Sequence, residues 1–329
     1  MRAIRLHEFG PASNLVLDDL ADLRPATGQV RIAVAASGVH LLDTSLRRGE
    51  PGPVPSPELP TIPGREVAGV VDLVGDGVDT SWLGRRVVAH LGLVPGGYAE
   101  QAVTTPDLLF PVPEHVDLAD AVAMVGTGRT AQGILELEPP TSGDTVLVPA
   151  AAGGLGWLLV QAAHATGARV VAAARGADKL ARLKELGPDL VVDYSDDDWA
   201  DAVRREVGGV SVVYDGVGGA VGRSSLELLS PGGRHVMFGY SAGSPTRFET
   251  SDVVSGGISV SWSLGARMVA LPGGIPGLAG RALERHAAGE WRPLVTTYPL
   301  ADAARAHADL EDRATVGKVV LLSETPPAS

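Results

Sequence analysis

The stretch from Val146 to Gly156, V-L-V-P-A-A-A-G-G-L-G, constrains the fold more than any other part of this chain. An apolar run meets a cluster of small residues, and an apolar helical pattern follows from Trp157 to Thr166. That is the pattern of a strand, a tight turn and a helix whose N-terminus receives a dinucleotide pyrophosphate. The turn reads Ala150-x-x-Gly153-x-x-Gly156. Small side chains there let the backbone approach the phosphates and let the helix pack closely on the strand. Ala150, Gly153, Gly154, Leu155 and Gly156 are therefore expected to line the cofactor. A glycine-rich turn alone is a weak signal. Here a second apolar run, Arg169 to Ala174, follows at the spacing of a βαβ unit.

The end of that second strand speaks to the choice of cofactor. NAD-preferring sites place Asp or Glu there, about 20 residues after the glycines, to bind the ribose 2′-hydroxyl. This chain reads Ala173-Ala174-Arg175-Gly176, with Lys179 one helical turn further on. A guanidinium suits a 2′-phosphate, because it offers a fork of donors and a permanent charge. The reading is NADPH, bound in part by Arg175 and Lys179. The alternative is that both are solvated charges at a helix entry, with Asp178 blunting the local field.

Thr145 to Ala168 contains no Asp, Glu, Lys or Arg, which raises the possibility of a membrane span. Pro149 and three glycines break its middle, and Gln161, His164 and Thr166 interrupt its second half. A buried strand followed by a buried helix explains it better. The formal net charge of −12 opposes nucleic-acid binding. The start lacks the apolar core of a signal peptide, so a cytoplasmic protein is expected. With no cysteine at all, disulfides and thiolate nucleophiles are excluded.

Along the first third, Arg2–Leu6, Val30–Ala36, Glu66–Val74 and Arg86–Ala89 read as strands, and the proline-rich Gly49–Pro63 as an irregular loop. Asp117 is placed to cap a helix over 118–125, and 129–137 continues as helix. From Thr145, apolar runs at 146–148, 169–174, 190–192, 210–214, 233–238 and 258–261 alternate with helical patterns that include 177–186, 198–207 and 224–229. Such alternation argues for a parallel sheet with helices on its faces. A helix over 280–289, a strand over 294–299, a helix over 301–310 and a strand over 317–322 close the pattern, and Pro326–Ser329 is expected to fray.

Several segments, in order, resemble one family. They are Gly38-Val39-His40-Leu41-Leu42-Asp43-Thr44-Ser45-Leu46-Arg47-Arg48-Gly49, Pro63-Gly64-Arg65-Glu66-Val67-Ala68-Gly69, Gly96-Gly97-Tyr98-Ala99-Glu100, the glycine turn, and Gly317-Lys318-Val319-Val320. Together they are similar to the medium-chain dehydrogenase/reductases, in the zinc-independent quinone oxidoreductase branch. The resemblance implies an α/β fold: a Rossmann doubly wound parallel sheet (residues 123–293) inserted into a GroES-like, β-rich catalytic domain (1–122 and 294–329). It implies an active site in the cleft between them, and a homodimer joined edge to edge through a strand in Gly257–Ser263. Zinc-dependent relatives carry a Gly-His-Glu triplet that here reads Gly64-Arg65-Glu66, and Arg does not ligate zinc. A rebuilt site from His40, Glu66 and His90 is the alternative.

Without a metal, reduction of a quinone or an α,β-unsaturated carbonyl asks less of a protein than alcohol oxidation does. The resemblance places His40 and Thr130 beside the reacting groups, as catalytic candidates. It places Tyr194 by the 2′-phosphate, and Phe238, Gly239, Tyr240, Trp262 and Ser263 along the cofactor. His40 is either a hydrogen-bond donor or acid toward the acceptor oxygen, or a buried, satisfied histidine. Asp43 and Arg47 read as a structural turn and an ion pair, and Ser45 stands where many relatives have Tyr. Two other readings remain: an enoyl-thioester reductase of lipid or polyketide metabolism, and a non-enzymatic NADPH-binding sensor.

Overall fold

The computed structural model describes residues 1–51 and 55–323. Its elements begin with β1 (Arg2–Leu6), β2 (Leu15–Asp19), β3 (Val30–Val39), α1 (Leu41–Arg48), β4 (Glu66–Val74), β5 (Arg86–His90), β6 (Gln101–Thr104), β7 (Leu109–Pro111) and α2 (Leu118–Ala123). A π-turn over Met124–Gly128 leads into α3 (Arg129–Leu137). Then come β8 (Thr145–Val148), α4 (Gly154–Ala165), β9 (Arg169–Ala174), α5 (Ala177–Lys184), β10 (Leu190–Asp193), α6 (Trp199–Val207), β11 (Val210–Asp215), α7 (Gly219–Glu227), β12 (Leu229–Met237), α8 (Thr250–Gly256), β13 (Ser259–Trp262), α9 (Ala266–Val269) and α10 (Gly274–Ala287). The last are β14 (Val295–Pro299), α11 (Ala303–Glu311) and β15 (Lys318–Leu322). The chain divides into two compact units, Met1–Thr127 with the segment from Ala282 onward, and Gly128–Arg281.

The first unit is built on a seven-stranded sheet in the order β14-β15-β3-β4-β5-β7, with β6 also pairing β3. In the first half of β3, Val30, Ile32 and Val34 are buried while Arg31 and Ala33 are only half-buried, the two-residue period of a strand with one apolar face. Arg31 spends its outward charge on Asp72 at 2.9 Å. Ile32, Val34, Val67, Val71, Val87 and Ala89 form the core beneath. The segment read as a turn after Val39 is the helix α1. The His40 backbone N–H donates to Asp43 Oδ2 at 2.8 Å, and Gly49 closes the helix with φ 74°. This N-terminal cap and left-handed C-terminal glycine bound an eight-residue helix whose buried positions are Asp43, Thr44 and Arg47.

The second unit holds a six-stranded sheet, β10-β9-β8-β11-β12-β13, in which every pair is parallel. The chain starts at β8, moves to one edge, returns to β11 and proceeds to the other edge. That is the doubly wound order, with its switch point between β8 and β11. The inner strands are continuously apolar because both faces are covered: Val170, Val171, Ala172 and Ala173 have no exposed surface. The helix expected over 224–229 lies earlier, at Gly219–Glu227, because Leu229 already starts β12. The helix expected from Gly280 starts at Gly274, with Pro276 in its first turn, where a missing N–H is harmless. The fraying expected at Pro326–Ser329, and Gly52–Val54 of the proline-rich loop, lie outside the described residues.

Candidate active site

Three ionisable side chains converge in the first unit. Glu66, the first residue of β4, has no exposed surface. Its Oε1 lies 2.6 Å from His40 Nε2, and its Oε2 lies 2.9 Å from Lys318 Nζ. Lys318 Nζ also lies 2.7 Å from His40 Nε2. Two glycines make room for the carboxylate. A Cβ on Gly126 would come within 1.5 Å of Glu66 Oε1, and one on Gly38 within 2.3 Å of Oε2. Burial pushes the Glu66 carboxyl up, but the charges of His40, Lys318 and His90 outweigh it and hold the group well below the usual carboxylate range. Only His40 keeps appreciable exposure, 32% of its side chain against 5% for Lys318. The cluster is a partly open imidazole backed by a buried, charge-balanced pair.

His40 is held from a second side. Asp43 Oδ2, which receives the His40 N–H, also accepts the Tyr98 hydroxyl at 3.2 Å, and Tyr98 Oη lies 3.1 Å from His307 Nε2. Tyr98 has one proton, and it goes to Asp43. His307 Nε2 therefore donates to Tyr98 Oη, which fixes the His307 tautomer. Burial then lowers the His307 pKa to about 4, against an opposing contribution from Asp43. Asp43 thus caps a helix, and Arg47 pairs with Glu311. Sequence reading placed neither Lys318 nor His307 in a site. The one lies in a motif quoted for resemblance, the other in no motif.

The cofactor candidates of the second unit gather at one end of its sheet. Ala150 follows β8, Arg175 follows β9, Tyr194 follows β10, Phe238-Gly239-Tyr240 follow β12, and Trp262-Ser263 end and follow β13. All the strands are parallel, so these are their C-terminal ends, where open α/β sheets bind ligands. Gly153 caps α4 without a side-chain bond, leaving the first-turn N–H groups for an anion. A Cβ on Gly156 would lie 2.5 Å from the Ala150 carbonyl oxygen and 2.7 Å from Ala151 Cα, so glycine is required for the helix to pack. Ala150 itself sits at φ 53°. Arg175 is exposed and Lys179 half-buried. An acid does stand nearby, Asp193 at the end of β10. Its oxygens already accept the Gly176 N–H at 2.9 Å and the Ser195 N–H at 2.9 Å.

The remaining candidates are mixed. Tyr240 and Trp262 are 49% and 40% exposed, with ring centroids 6.4 Å apart. The Phe238 ring is buried against Gly216 and Ser263 is fully buried, so their side chains belong to the core. Thr130 is half-buried in the first turn of α3. One buried cluster carried no sequence signal. Asp215, at the end of β11, takes the Val217 and Gly218 N–H groups at 2.8 and 2.9 Å, the Thr246 hydroxyl, and contacts His235 Nε2 at 3.1 Å. It fixes the turn beside the switch point.

Residues 26–114 match the alcohol dehydrogenase GroES-like domain, and residues 154–276 match the zinc-binding dehydrogenase family. A 2-haloacrylate reductase of a Burkholderia species is 33% identical over 97% of this chain and 98% of its own length. A mouse quinone oxidoreductase is 31% identical, with 98% of each chain covered. The crystal structure of an Escherichia coli quinone oxidoreductase complexed with NADPH superposes with a TM-score of 0.86 at 28% identity, over 98% of this chain and 100% of that one.

The zinc in the second family description can be tested against the residues present. Two ligand atoms on a tetrahedral zinc, each about 2.0–2.2 Å from the metal, lie more than 3 Å apart. His40 Nε2 and Glu66 Oε1 are 2.6 Å apart, with an ammonium against both residues. His90 Nδ1 accepts the Gly92 N–H at 3.0 Å. Among the described residues no three His or acidic side chains are grouped to hold a metal. The expected alternative of a site from His40, Glu66 and His90 does not fit this arrangement, because Lys318 already supplies the positive charge.

Proposed function

Because the chain belongs to the quinone oxidoreductase branch of the medium-chain dehydrogenase/reductase superfamily, we propose that it is an NADPH-dependent, zinc-independent reductase that passes hydride to a quinone or an α,β-unsaturated carbonyl. The observation that carries this reading is the His40–Glu66–Lys318 cluster. It supplies a fixed positive charge and a polar N–H group without a Lewis acid. NADPH, when bound, supplies the hydride. The α4 N-terminus and the 150–156 turn would receive its pyrophosphate, and Arg175 its 2′-phosphate, since the Asp193 oxygens are engaged elsewhere.

The chain's own task is to hold the acceptor and to meet the charge that develops on its oxygen. His40 Nε2 faces both Glu66 and Lys318, so His40 can be reprotonated within the cluster after giving up a proton. Glu66 and Lys318 act through it. The enoyl-thioester alternative differs only in acceptor. We place the enzyme in the cytoplasm; among the described residues no helix is long and apolar enough to cross a membrane. A homodimer through β13 accompanies this reading.

Single-turnover hydride transfer tests it. His40→Ala should lower the rate by about ten- to a thousandfold if His40 donates to the acceptor. His40→Asn keeps a donor and should retain most of the rate. Two variants as fast as the unmutated enzyme would remove His40 from the mechanism. NADPH consumption that fails with every quinone and enone would remove the reductase reading altogether.

A further inference from the structure

Asp215 ends β11 and His235 lies in β12, and neither has any exposed surface. An acid and an imidazole inside a parallel sheet are costly to bury unless each is bonded. Asp215 gives its two oxygens different work. Oδ1 accepts the Val217 and Gly218 N–H groups, which curls the chain as it leaves β11. Oδ2 accepts the Thr246 hydroxyl at 2.5 Å and lies 3.1 Å from His235 Nε2. A carboxylate only accepts, so Nε2 carries the His235 proton. Burial pushes the Asp215 carboxyl up, but these hydrogen bonds outweigh it and hold the group below the usual carboxylate range. The fit is close: a Cβ on Gly222 of α7 would come within 1.8 Å of Thr246 Oγ1.

Thr246 stands at the far end of the segment that follows β12. The backbone of that segment is laced to the turn after β11. The Ser241 and Ala242 N–H groups donate to the Gly216 and Val217 carbonyls at 3.1 and 2.8 Å, and the Gly219 N–H donates to the Ser244 carbonyl at 2.9 Å. Asp215 therefore grips the segment on both sides, at His235 where β12 approaches it and at Thr246 where the chain leaves it. Between the two grips run Phe238, Gly239 and Tyr240, at the C-terminal end of the sheet.

A doubly wound sheet binds a dinucleotide across its switch point, one mononucleotide to each half. The glycine turn and Arg175 belong to the half made by β8, β9 and β10, which would take the adenosine side. The 238–246 segment belongs to the half made by β11, β12 and β13, which would take the nicotinamide side. Resting on the NADPH reading above, we propose that Asp215, His235 and Thr246 are positioning residues that fix the 238–246 segment against the nicotinamide half of bound NADPH. They act through the backbone of that segment. A small misplacement of the ring that gives up hydride is enough to cost rate, so the segment needs a rigid support.

The test separates the two halves of the cofactor. Thr246→Val keeps the shape of the side chain and removes its hydroxyl, and Thr246→Ser keeps the hydroxyl. Fluorescence titration reads NADPH binding, and competition reads 2′,5′-ADP, which is the adenosine half alone. We expect Thr246→Val to raise the NADPH dissociation constant by about tenfold and that of 2′,5′-ADP by less than about twofold, with Thr246→Ser close to the unmutated protein for both. A general loss of structure would weaken both ligands together, and that result overturns the proposal. So does Thr246→Val binding NADPH as tightly as the unmutated protein, or Thr246→Ser binding it as weakly as Thr246→Val. If Thr246→Val does not fold, hydrogen exchange of the unmutated protein decides. NADPH should slow the amides of 216–219 and 238–246 by about tenfold, and 2′,5′-ADP should leave them unchanged. Equal protection by both ligands, or none by NADPH, overturns the proposal. No acceptor is needed, so the result stands even if the reductase reading fails. A protein that binds neither ligand overturns the NADPH reading and this proposal with it.

Discussion

At the residue scale the chain's most consequential charge is the one it buries deepest. Glu66 has no exposed surface and depends on Lys318 and His40 for compensation. Removing one partner of such a pair costs roughly 3–5 kcal/mol, because the other charge stays buried. Lys318→Met should therefore destabilise the fold by about that amount at pH 7, and Lys318→Arg by much less, as read by urea denaturation. The pH dependence separates charge from packing. In the unmutated protein the Glu66 pKa is depressed, so its contribution is present above the unfolded value near 4.3 and is lost as pH falls through the folded one. Lys318→Met removes one of the charges that hold the carboxyl down, so its folded pKa should move up and the variant's deficit should shrink as pH falls through the acid range. A deficit that stays constant over that range would point to lost packing.

His307 is buried neutral where Glu66 is buried charged, and its contribution runs in the same direction with pH. Its pKa is lowered to about 4, so between that value and about 6.5 the unfolded chain binds more protons than the folded one. Stability should rise with pH across that window, by up to roughly 3 kcal/mol from this group. His307→Gln should flatten the acid limb between pH 4 and 6.5 in a pH series of denaturation midpoints.

At the scale of elements, what the sequence showed was local and what it hid was not. The strand, turn and helix of β8 and α4 lie in one window, with glycines where the packing needs them, and so could be read directly. The same holds for the alternation from Thr145 to Ser263. Helix α1 was hidden because the positions it buries are polar, Asp43, Thr44 and Arg47. Lys318 was hidden because its partner His40 is 278 positions away. The Asp215 cluster was hidden for the same reason, since its members come from β11, β12 and a loop. Three substitutions probe the legible part. Ala150 occupies a left-handed conformation that costs an L-residue about 1 kcal/mol, so Ala150→Gly should leave thermal stability equal or higher. Gly156→Val should lower it sharply and abolish NADPH binding, because its Cβ meets backbone. Arg175→Ala should raise the NADPH dissociation constant by about tenfold and leave that for NADH nearly unchanged, as measured by fluorescence titration.

At the scale of the whole molecule, β13 is one of the two edges of the parallel sheet, pairing only with β12 among the described residues. Its last residue, Trp262, is 40% exposed. Unprotected edges invite pairing with another chain. Light scattering should return twice the 33.8 kDa chain mass, and Val260→Pro, which removes an edge donor, should return the single mass with the NADPH site intact. A monomer at micromolar concentration from the unmutated protein would rule out this assembly.

The position of β15 has a consequence for how the molecule comes into being. It is inserted between β3 and β14, and it carries the ammonium that neutralises Glu66. On the ribosome, β3 and β4 emerge long before β15 is made, while the 128–281 unit is translated as one uninterrupted block. That block has every strand it needs and can fold while synthesis continues. The other unit must wait, with a gap beside β3 and an acid that has no counter-charge. A nascent chain halted before Lys318 should therefore hold a protease-resistant dinucleotide-binding half and a protease-sensitive remainder, and the residue that completes the reactive cluster is also the one whose arrival lets the first unit close.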